Sequence, residues 1–398
     1  MSTASKNSIR LGLLTGGDDR SYALGLTGAL AAEGVHVEFV GSDKLDAPEL
    51  HTSPLIEFLN LRGDQREQVP KSEKVVRILR YYFRLVKYAV TTRAPILHIL
   101  WNNKFEFIDR VGLMLYYRLL GKKVVFTAHN VNAAKRDGHD NWLNRFTLKI
   151  QYRLCHHIFV HTEKMRGELL TDFAQASDKV SIIPFGINNT SEITALTPAE
   201  AKTRLGLLPT EKALLFFGQI APYKGLEYLI AALPKLVAKG EPYRVVVAGK
   251  VKQGCEEYWA GIQRQLDEHQ LRSRIIMHIR HIPNDEVEVF FKAADAVALP
   301  YVHIFQSGVP FLAYSFGLPV IASDVGSLRE DILEGQTGYV CRSCDPADLA
   351  RAVETYFTSP LYAELPRSRE KIAAHANETH SWSKVGRITV GVYRAILR

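Results

Sequence analysis

Three short loops place glycine beside a cation or a hydroxyl directly after a strand-like run. In "LLFFGQIAPYKGLEYLI", Gly218 ends an apolar run and Lys224 lies just before a predicted helix that begins near Leu226. Glycine lets the backbone approach a ligand, a helix N-terminus favours an anion, and lysine adds a mobile positive charge. This stretch therefore predicts a phosphate-binding loop; a surface lysine in a turn is the simpler alternative.

The other two loops have the same character. Gln306, Ser307 and Gly308 precede the helical stretch "VPFLAYSF", and Gly16 and Gly17 end the first strand-like run. No GxGxxG dinucleotide fingerprint and no GxxxxGK[ST] sequence accompanies them. Three such loops together predict a diphosphate bound in a cleft between two facing domains.

Alternating strands and helices must position these loops. Strand-like runs such as "IRLGLLTGG", "VHVEFVGSD" and "KKVVFTAHN" alternate with helical stretches, and a second alternating series begins at "ALLFFG". This alternation is typical of doubly wound parallel sheets, which bind ligands at the carboxyl ends of their strands. We predict an α/β protein with two Rossmann-like domains, residues 1–187 and 188–380, and a terminal helix, residues 381–398, that returns to the first domain.

Length and composition exclude several classes of protein. The 398 residues suit two domains, and 46% hydrophobic with 23% charged residues is ordinary for a globular chain. No apolar run approaches the ~20 residues of a membrane-spanning helix, and the polar N-terminus lacks the apolar core of a signal peptide. We therefore expect a cytoplasmic protein.

Four cysteines are too few for a disulfide framework in a chain of this size. Cys341 and Cys344 form one CxxC, and His278 and His281 form one HxxH, so a zinc site using both pairs is conceivable. The cysteines lack a second pair at zinc-ribbon spacing, and the alternative is a turn before the helical stretch "DPADLARAVETYF". We expect no metal site.

The net charge of +8 favours an anionic partner, and much of it is concentrated in residues 71–93, "KSEKVVRILRYYFRLVKYAVTTR". Seven lysines or arginines stand there against one acid, and apolar residues recur at helical spacing beside three tyrosines. Such a helix suits an anionic membrane surface, which would make the protein peripheral on the inner face. The alternative is a helix that packs its apolar residues on the core. No nucleic-acid-binding motif accompanies it, so we expect no nucleic-acid partner.

The stretches "FFGQIAPYKGLEYLIAAL", "FFKAADAVALPY", "GLPVIASDVGSLREDI" and "FTAHNV" give the chain a family resemblance. The sequence resembles family 4 glycosyltransferases of the GT-B fold over nearly its whole length. The resemblance implies a retaining, metal-independent enzyme that needs no cofactor and moves a sugar from a nucleotide-diphosphate donor to a glycan or lipid-linked acceptor. In detail the chain is similar to bacterial members that assemble exopolysaccharides or other surface glycans.

The resemblance also implies roles for individual residues. Lys224 matches the family lysine that neutralises the diphosphate leaving group, and His129 matches the histidine beside the transferred sugar. Gly16 and Gly17 match a glycine loop near the diphosphate and the acceptor. The loop at residues 306–308 matches the one that meets the donor's phosphates and sugar. No residue is assigned to the acceptor.

Two departures from the family pattern concern the charge around the diphosphate. The arginine that usually follows the loop glycine is Gln219 here, and the arginine that some members carry two residues later is Ala221. The family's paired glutamates, eight residues apart, are missing from residues 304–312. Either positive charge comes from elsewhere, with Lys250 and Arg280, each after a strand-like run, as the candidates, or turnover is slow.

These departures leave two rival functions open beside glycosyl transfer. One is a GT-B epimerase that acts on the nucleotide sugar itself, and the other is a catalytically silent partner that binds a nucleotide sugar in a glycan assembly complex. No matching loops carry a pair of carboxylates, which fits a retaining transfer in which the leaving diphosphate deprotonates the incoming hydroxyl on the same face.

Overall fold

The computed structural model describes residues 9–16, 19–66, 69–136, 139–187, 193–304 and 307–398. The chain divides into two units by its internal contacts: a first unit of Met1–Gly186 with His380–Arg398, and a second unit of Ile187–Thr379. Two of the predicted ligand residues, Gly17 and Gln306, lie outside the described residues.

The first unit is built on a parallel sheet that has seven strands within the described residues, in the order β3-β2-β1-β4-β5-β6-β7. The order reverses direction between β1 and β4, which is the switch point where such sheets bind ligands. Central strands such as β4 are buried along their whole length because helices cover both faces. The strands are β1 Arg10–Leu14, β2 His36–Gly41, β3 Ile56–Asn60, β4 Ile96–Ile99, β5 Lys123–Thr127, β6 His157–Val160 and β7 Val180–Ile182.

Helices connect these strands, and a π-helical turn at Ile108–Leu113 leads into the third of them. The helices of this part of the chain are α1 Arg20–Ala32, α2 Lys71–Thr91, α3 Met114–Leu119, α4 Ala133–Arg136, α5 Trp142–Leu154 and α6 Glu163–Thr171.

The second unit repeats the plan with a six-stranded parallel sheet in the order β10-β9-β8-β11-β12-β13, reversing between β8 and β11. Its strands are β8 Lys212–Phe217, β9 Tyr243–Ala248, β10 Ile275–His278, β11 Ala296–Leu299, β12 Val320–Ser323 and β13 Gly338–Cys341. Its helices are α7 Pro198–Arg204, α8 Leu226–Val237, α9 Glu256–Glu268, α10 Asn284–Ala293, α11 Val309–Ser315, α12 Leu328–Asp331, α13 Pro346–Phe357, α14 Pro360–Ala363 and α15 Leu365–Thr379.

The terminal helix α16, Trp382–Leu397, belongs to the first unit. It packs so closely on α1 that a Cβ atom added at Gly386 would lie 3.0 Å from the carbonyl oxygen of Ala29. Inside the sheet, the hydroxyl of Tyr393 lies 2.6 Å from Nδ1 of His98, and both side chains are fully buried. The prediction of two doubly wound parallel sheets with a returning terminal helix is confirmed.

Candidate active site

Lys224 lies between the end of β8 and the start of α8, and its side chain is turned into the protein. The residue is only 7% exposed, and its Nζ atom donates a hydrogen bond to the hydroxyl of Tyr301 over 2.6 Å. The same Nζ atom lies 3.9 Å from the centroid of the Tyr301 ring. Tyr301 follows β11, the strand beside β8, so two neighbouring strands bring the cation and its partner together.

No carboxylate among the described residues pairs with Lys224; its side-chain ammonium contacts the aromatic side chains of Tyr301 and Tyr223 instead. Burying an ammonium group without a counter-ion costs free energy, so burial makes the group easier to deprotonate. Burial accordingly lowers the pKa of Lys224 to about 8, an effect that the nearby Tyr223 partly offsets. The loop therefore holds a positive charge that an anionic ligand would stabilise.

Glycines shape this loop at two positions. Gly218, at the end of β8, has a φ of 110°, a conformation that side-chain-bearing residues rarely adopt. Gly225, directly after Lys224, has a φ of 66°, and a Cβ atom there would lie 2.0 Å from the carbonyl oxygen of Pro300. The close approach of the two chain segments at Gly225 therefore depends on the absence of a side chain.

The described part of the 306–308 loop reaches the same surroundings. Ser307 is buried, its Oγ atom lies 3.5 Å from the Tyr301 hydroxyl, and it accepts a hydrogen bond from the backbone N–H of Val309. Gly308 is exposed and caps α11. Ser307 thus shares Tyr301 with Lys224, and the two predicted phosphate loops of the second unit meet at one tyrosine.

Lys250 and Arg280, the two candidates to replace the charge of the missing family arginine, differ in their surroundings. Lys250 follows β9, and its carbonyl oxygen accepts a hydrogen bond from the backbone of Ile220 in the Lys224 loop, while its side chain is exposed. Arg280 follows β10 and forms an ion pair with Glu286, with Nη1 3.0 Å from Oε1. Gln219 is exposed. Lys250 is therefore beside the loop, whereas the charge of Arg280 is already paired.

In the first unit, Gly16 lies two residues after the end of β1, against the loop that follows β4. A Cβ atom at Gly16 would lie 1.9 Å from the carbonyl oxygen of Trp101, so only glycine fits. His129 follows β5, the next strand along the sheet, and its ring stacks on Trp101 at a centroid distance of 4.4 Å. The carboxyl ends of neighbouring strands thus bring two predicted site residues into one place.

A chain of hydrogen bonds fixes which nitrogen of His129 carries a proton. Nδ1 of His161 lies 3.1 Å from the carbonyl oxygen of Ile183, which can only accept, so this nitrogen must donate. Nε2 of His161 is then an acceptor for Nδ1 of His129, 3.0 Å away. Nε2 of His129 is consequently a bare acceptor, and it is buried without a partner among the described residues.

Burial keeps both rings neutral. Burial, and after it the neighbouring His161, lowers the pKa of His129 well below its usual range. Burial lowers the pKa of His161 to about 4. An unpaired buried acceptor costs about 1–3 kcal/mol, so a ligand hydroxyl that donates to Nε2 of His129 would recover that free energy.

Sequence reasoning missed Tyr301, His161 and Trp101. Each lies within two residues of the end of a strand, in the stretches "VALPY", "IFVH" and "LHILW", and the carboxyl ends of parallel strands are where such folds bind ligands. That rule, applied to every strand and not only to glycine-containing loops, would have found them.

The conceivable zinc site is not formed. Cys341 is buried and Cys344 is exposed, and His278 stacks edge-on against Phe290. Among the residues that the structure describes, no three histidine, cysteine or carboxylate side chains come together to hold a metal ion.

The basic helix α2 buries a different face from the one that its apolar spacing suggests. Its buried residues are Tyr81, Leu85, Tyr88 and Ala89. Large apolar side chains of α2 point to solvent instead, with Phe83 71% exposed and Leu79 61% exposed. The core-packing alternative for the apolar residues of this helix is therefore wrong for those two.

The exposed apolar surface of the first unit extends beyond α2. Other exposed apolar side chains lie on the segment between β4 and α3 and at the start of α5, among them Phe105, Phe107, Ile108, Trp142, Leu143 and Phe146. Within the described part of the chain, no helix has the length and hydropathy to cross a membrane.

Comparison with known proteins agrees with this architecture. The family model "Glycosyltransferase Family 4" matches residues 20–190, and the model "Glycosyl transferases group 1" matches residues 199–378. A D-inositol 3-phosphate glycosyltransferase of Paenarthrobacter aurescens is 24% identical over 391 residues, which cover 94% of this chain and 91% of that protein.

Other relatives match over a shorter stretch. An uncharacterized glycosyltransferase of Methanocaldococcus jannaschii is 28% identical over 246 residues, 61% of this chain and 60% of that protein. The match covers 53% of a D-inositol 3-phosphate glycosyltransferase of Streptomyces bingchenggensis. This chain thus spans little more than half the length of several curated relatives that it matches.

Two solved structures share the fold over almost the whole chain. Sucrose-phosphate synthase from Thermosynechococcus elongatus superposes with a TM-score of 0.78 at 20% identity, covering 98% of this chain and 99% of that one. The Anabaena protein HepE in complex with UDP and glucose superposes with a TM-score of 0.72 at 14% identity, covering 98% and 100%. The fold is GT-B, and the chain belongs to glycosyltransferase family 4.

Proposed function

We propose that this glycosyltransferase moves a sugar from a nucleoside diphosphate sugar to a hydroxyl of a glycan or lipid-linked acceptor, with retention of anomeric configuration and without a metal ion or cofactor. The observation that carries the proposal is Lys224, a buried lysine at a helix start that has no carboxylate partner among the described residues. A diphosphate is the anion for which such a loop is suited.

In the proposed reaction, the bond between the anomeric carbon and the diphosphate oxygen breaks, and a bond to the acceptor oxygen forms on the same face. The acceptor proton passes to an oxygen of the departing diphosphate. Lys224 stabilises the negative charge that develops on that leaving group, so its contribution is made in the transition state. The proposed chemistry needs no carboxylate nucleophile.

His129 orients the donor in this proposal. Its unprotonated Nε2 atom accepts a hydrogen bond from a hydroxyl of the transferred sugar, while His161 holds the ring and its tautomer. Correct placement of the sugar lowers the entropic part of the barrier. His129 is therefore a group that touches substrate, and His161 is a positioning residue.

The test is nucleotide binding followed by product analysis. UDP is the first nucleotide to titrate, since the similarly folded HepE is a complex with UDP, and ADP and GDP follow. We expect one nucleotide to bind wild type and to bind Lys224→Ala much more weakly. Transfer to an acceptor, with the anomeric configuration read by NMR and unchanged by a chelator, supports the whole proposal.

The same experiment separates the rivals. A change in the donor sugar without any acceptor supports the epimerase, and nucleotide binding without turnover supports the silent partner. Binding that is equal in wild type and Lys224→Ala contradicts the role of Lys224.

We further propose that the enzyme works in surface-glycan synthesis. In this proposal the protein binds peripherally to an anionic membrane, and α2 is the helix that contacts the membrane. Phe83 and Leu79 are exposed on α2 among arginines and lysines, and this combination of apolar and basic side chains binds anionic bilayers. The inner face of the cytoplasmic membrane is the place where such an enzyme meets a lipid-linked acceptor.

A further inference from the structure

A cavity of about 220 Å³ in the first unit has five cationic side chains among its eleven lining residues. It lies between the segment that follows β3, the start of α2 and the segment that follows β4. Among the described residues, its charged lining residues are Arg62, Arg66, Lys74, Arg77 and Lys104, with Asp64 as the one carboxylate. Cations this close to one another repel unless carboxylates or a bound anion lie between them.

The cavity adjoins the end of β1, where the predicted glycine loop begins. Nη1 of Arg62 donates a hydrogen bond to the carbonyl oxygen of Gly16 over 2.7 Å. The guanidinium carbon of Arg62 lies 5.3 Å from the ring centroid of Tyr81, and the hydroxyl of Tyr81 donates to Oδ1 of Asn103. The inner wall is thus formed by the buried Tyr81 and by contacts among the segments that follow β1, β3 and β4.

The single carboxylate is already engaged. Oδ2 of Asp64 lies 2.5 Å from Nε of Arg66 and 3.5 Å from Nη1 of Arg77. Arg62, Lys74 and Lys104 have no carboxylate partner among the described residues. The side chain of Arg77 is 15% exposed, and its buried Nε atom has no hydrogen-bond acceptor among them. Arg77 also pairs with Glu73, with Nη2 3.4 Å from Oε1. Among the described residues, the positive charge that no carboxylate compensates is therefore that of Arg62, Lys74 and Lys104, and Arg77 leaves one donor unsatisfied.

We propose that this cavity binds a phosphate ester group of the acceptor. The proposal rests on the transferase function proposed above, because it names the chemical class of that reaction's second substrate. Arginine forks and lysine ammonium groups together match a phosphate with two charges and three free oxygens better than a single carboxylate. Sites for whole small molecules are usually at least ~300 Å³, so this volume suits the phosphate and the atoms next to it.

Every lining residue of the cavity belongs to the first unit, whereas the Lys224 loop belongs to the second. The phosphate ester has two possible sources, a soluble sugar or polyol phosphate and a lipid phosphate. A lipid source would place its chain near Val75 and Leu79, exposed apolar residues on the helix that also carries Lys74 and Arg77.

The experiment measures phosphate binding to the full chain in a Lys224→Ala background, which removes the competing anion site. One protein carries Lys74→Ala with Lys104→Ala, and a matched control carries Lys149→Ala with Lys235→Ala, two exposed lysines outside the cavity. The soluble probe is glycerol 3-phosphate, followed by calorimetry. The lipid probe is phosphatidylcholine vesicles with and without phosphatidic acid, followed by sedimentation.

We expect the cavity variant to bind its probe roughly tenfold or more weakly than the control, since it loses two charge-assisted contacts. Loss with glycerol 3-phosphate supports a soluble phosphate ester, and loss only with phosphatidic acid supports a lipid phosphate. Equal binding by both variants, or binding of neither probe by the Lys224→Ala protein, overturns the proposal.

UDP titration of proteins that retain Lys224 keeps the two proposals apart. UDP binding that survives the Lys74→Ala and Lys104→Ala changes, together with lost phosphate binding, supports two sites. Phosphate binding in the cavity of a protein that binds no nucleotide overturns the transferase proposal and leaves an anion site without an acceptor role. Nucleotide binding without phosphate binding in the cavity overturns the cavity proposal and leaves the transferase proposal standing.

Discussion

Nδ1 of His129 donates its proton to Nε2 of His161 over 3.0 Å, and this one hydrogen bond sets the chemistry of the His129 ring. The carbonyl oxygen of Ile183, the residue after β7, fixes the tautomer of His161. The series of hydrogen bonds therefore runs from this carbonyl group to Nε2 of His129, the unprotonated nitrogen at the proposed sugar site. Three groups in series thus decide that Nε2 of His129 is an acceptor and not a donor.

Replacing His161 tests this arrangement. We expect His161→Leu to slow transfer by roughly tenfold or more, because His129 loses its acceptor and its tautomer is no longer fixed. His161→Gln retains both an acceptor and a donor, and it should recover much of the rate. Nucleotide affinity should stay the same in both. A rate equally low in both variants would mean that His161 serves only packing.

The depressed pKa of Lys224 predicts a pH-dependent affinity for the nucleotide. The ammonium form binds the diphosphate, and it is lost as the pH rises through about 8. We expect nucleotide binding to weaken above that pH, with proton uptake on binding because the bound anion raises the pKa. Calorimetry in buffers of different ionisation enthalpy measures both effects. Lys224→Ala should show neither, and a flat profile in wild type would contradict the assignment.

The same lysine should cost the free protein stability. Its pKa falls from 10.5 to about 8 on folding, so between these values the unfolded chain binds more protons and the free energy of unfolding rises with pH. Below about 8 the full penalty remains, about 3 kcal/mol at 1.36 kcal/mol per pH unit. We expect Lys224→Met to melt at a higher temperature than wild type at neutral pH while losing transfer. A lower melting temperature would contradict the penalty.

Gly225 should not tolerate a side chain. We expect Gly225→Ala to reduce the free energy of unfolding by on the order of 2–4 kcal/mol and to weaken nucleotide binding, because the new Cβ atom meets the backbone of Pro300. Gly240→Ala is the matched control, since Gly240 has a φ of 76° but open space around its Cβ position. It should lose only about 1 kcal/mol by chemical denaturation. Equal losses would attribute the effect to φ alone.

The exposed apolar face of α2 predicts membrane binding. We expect Leu79→Ser with Phe83→Ser to reduce co-sedimentation with anionic vesicles by at least about tenfold, at roughly 1.5–3 kcal/mol for each fully buried side chain. Leu208→Ser is the control, because Leu208 is 62% exposed in the second unit. Vesicle binding that survives the double change would remove α2 from the proposed surface.

Much of the fold could be predicted because local signals agree with the tertiary structure. Thr197 begins α7 with a capping box, and Asp345 caps α13, as their positions before proline suggest. The helix after Lys224 begins at Leu226 as predicted. Strands buried on both faces read as continuous apolar runs, which makes them visible in one sequence.

Other features could not be read locally. Strand β3 lies at the sheet edge, half-exposed, and its sequence "IEFLN" contains two polar residues that hide it. On α2, apolar residues at helical spacing point to solvent while three aromatic or aliphatic neighbours, Tyr81, Leu85 and Tyr88, are buried. Periodicity identifies a helix and its faces, but it does not say which face meets protein and which meets something outside the chain.

The packing of α16 on α1 also bears on synthesis in the cell. The first unit begins at the N-terminus, yet α16, which covers part of its core, is translated only after the whole second unit. Domains usually mature in the order of their emergence from the ribosome. Here the first unit cannot complete its fold until α16 has been synthesised, so the face of α1 that α16 covers stays exposed while the second unit is being translated. During this interval the growing chain exposes apolar surface that is buried in the folded first unit.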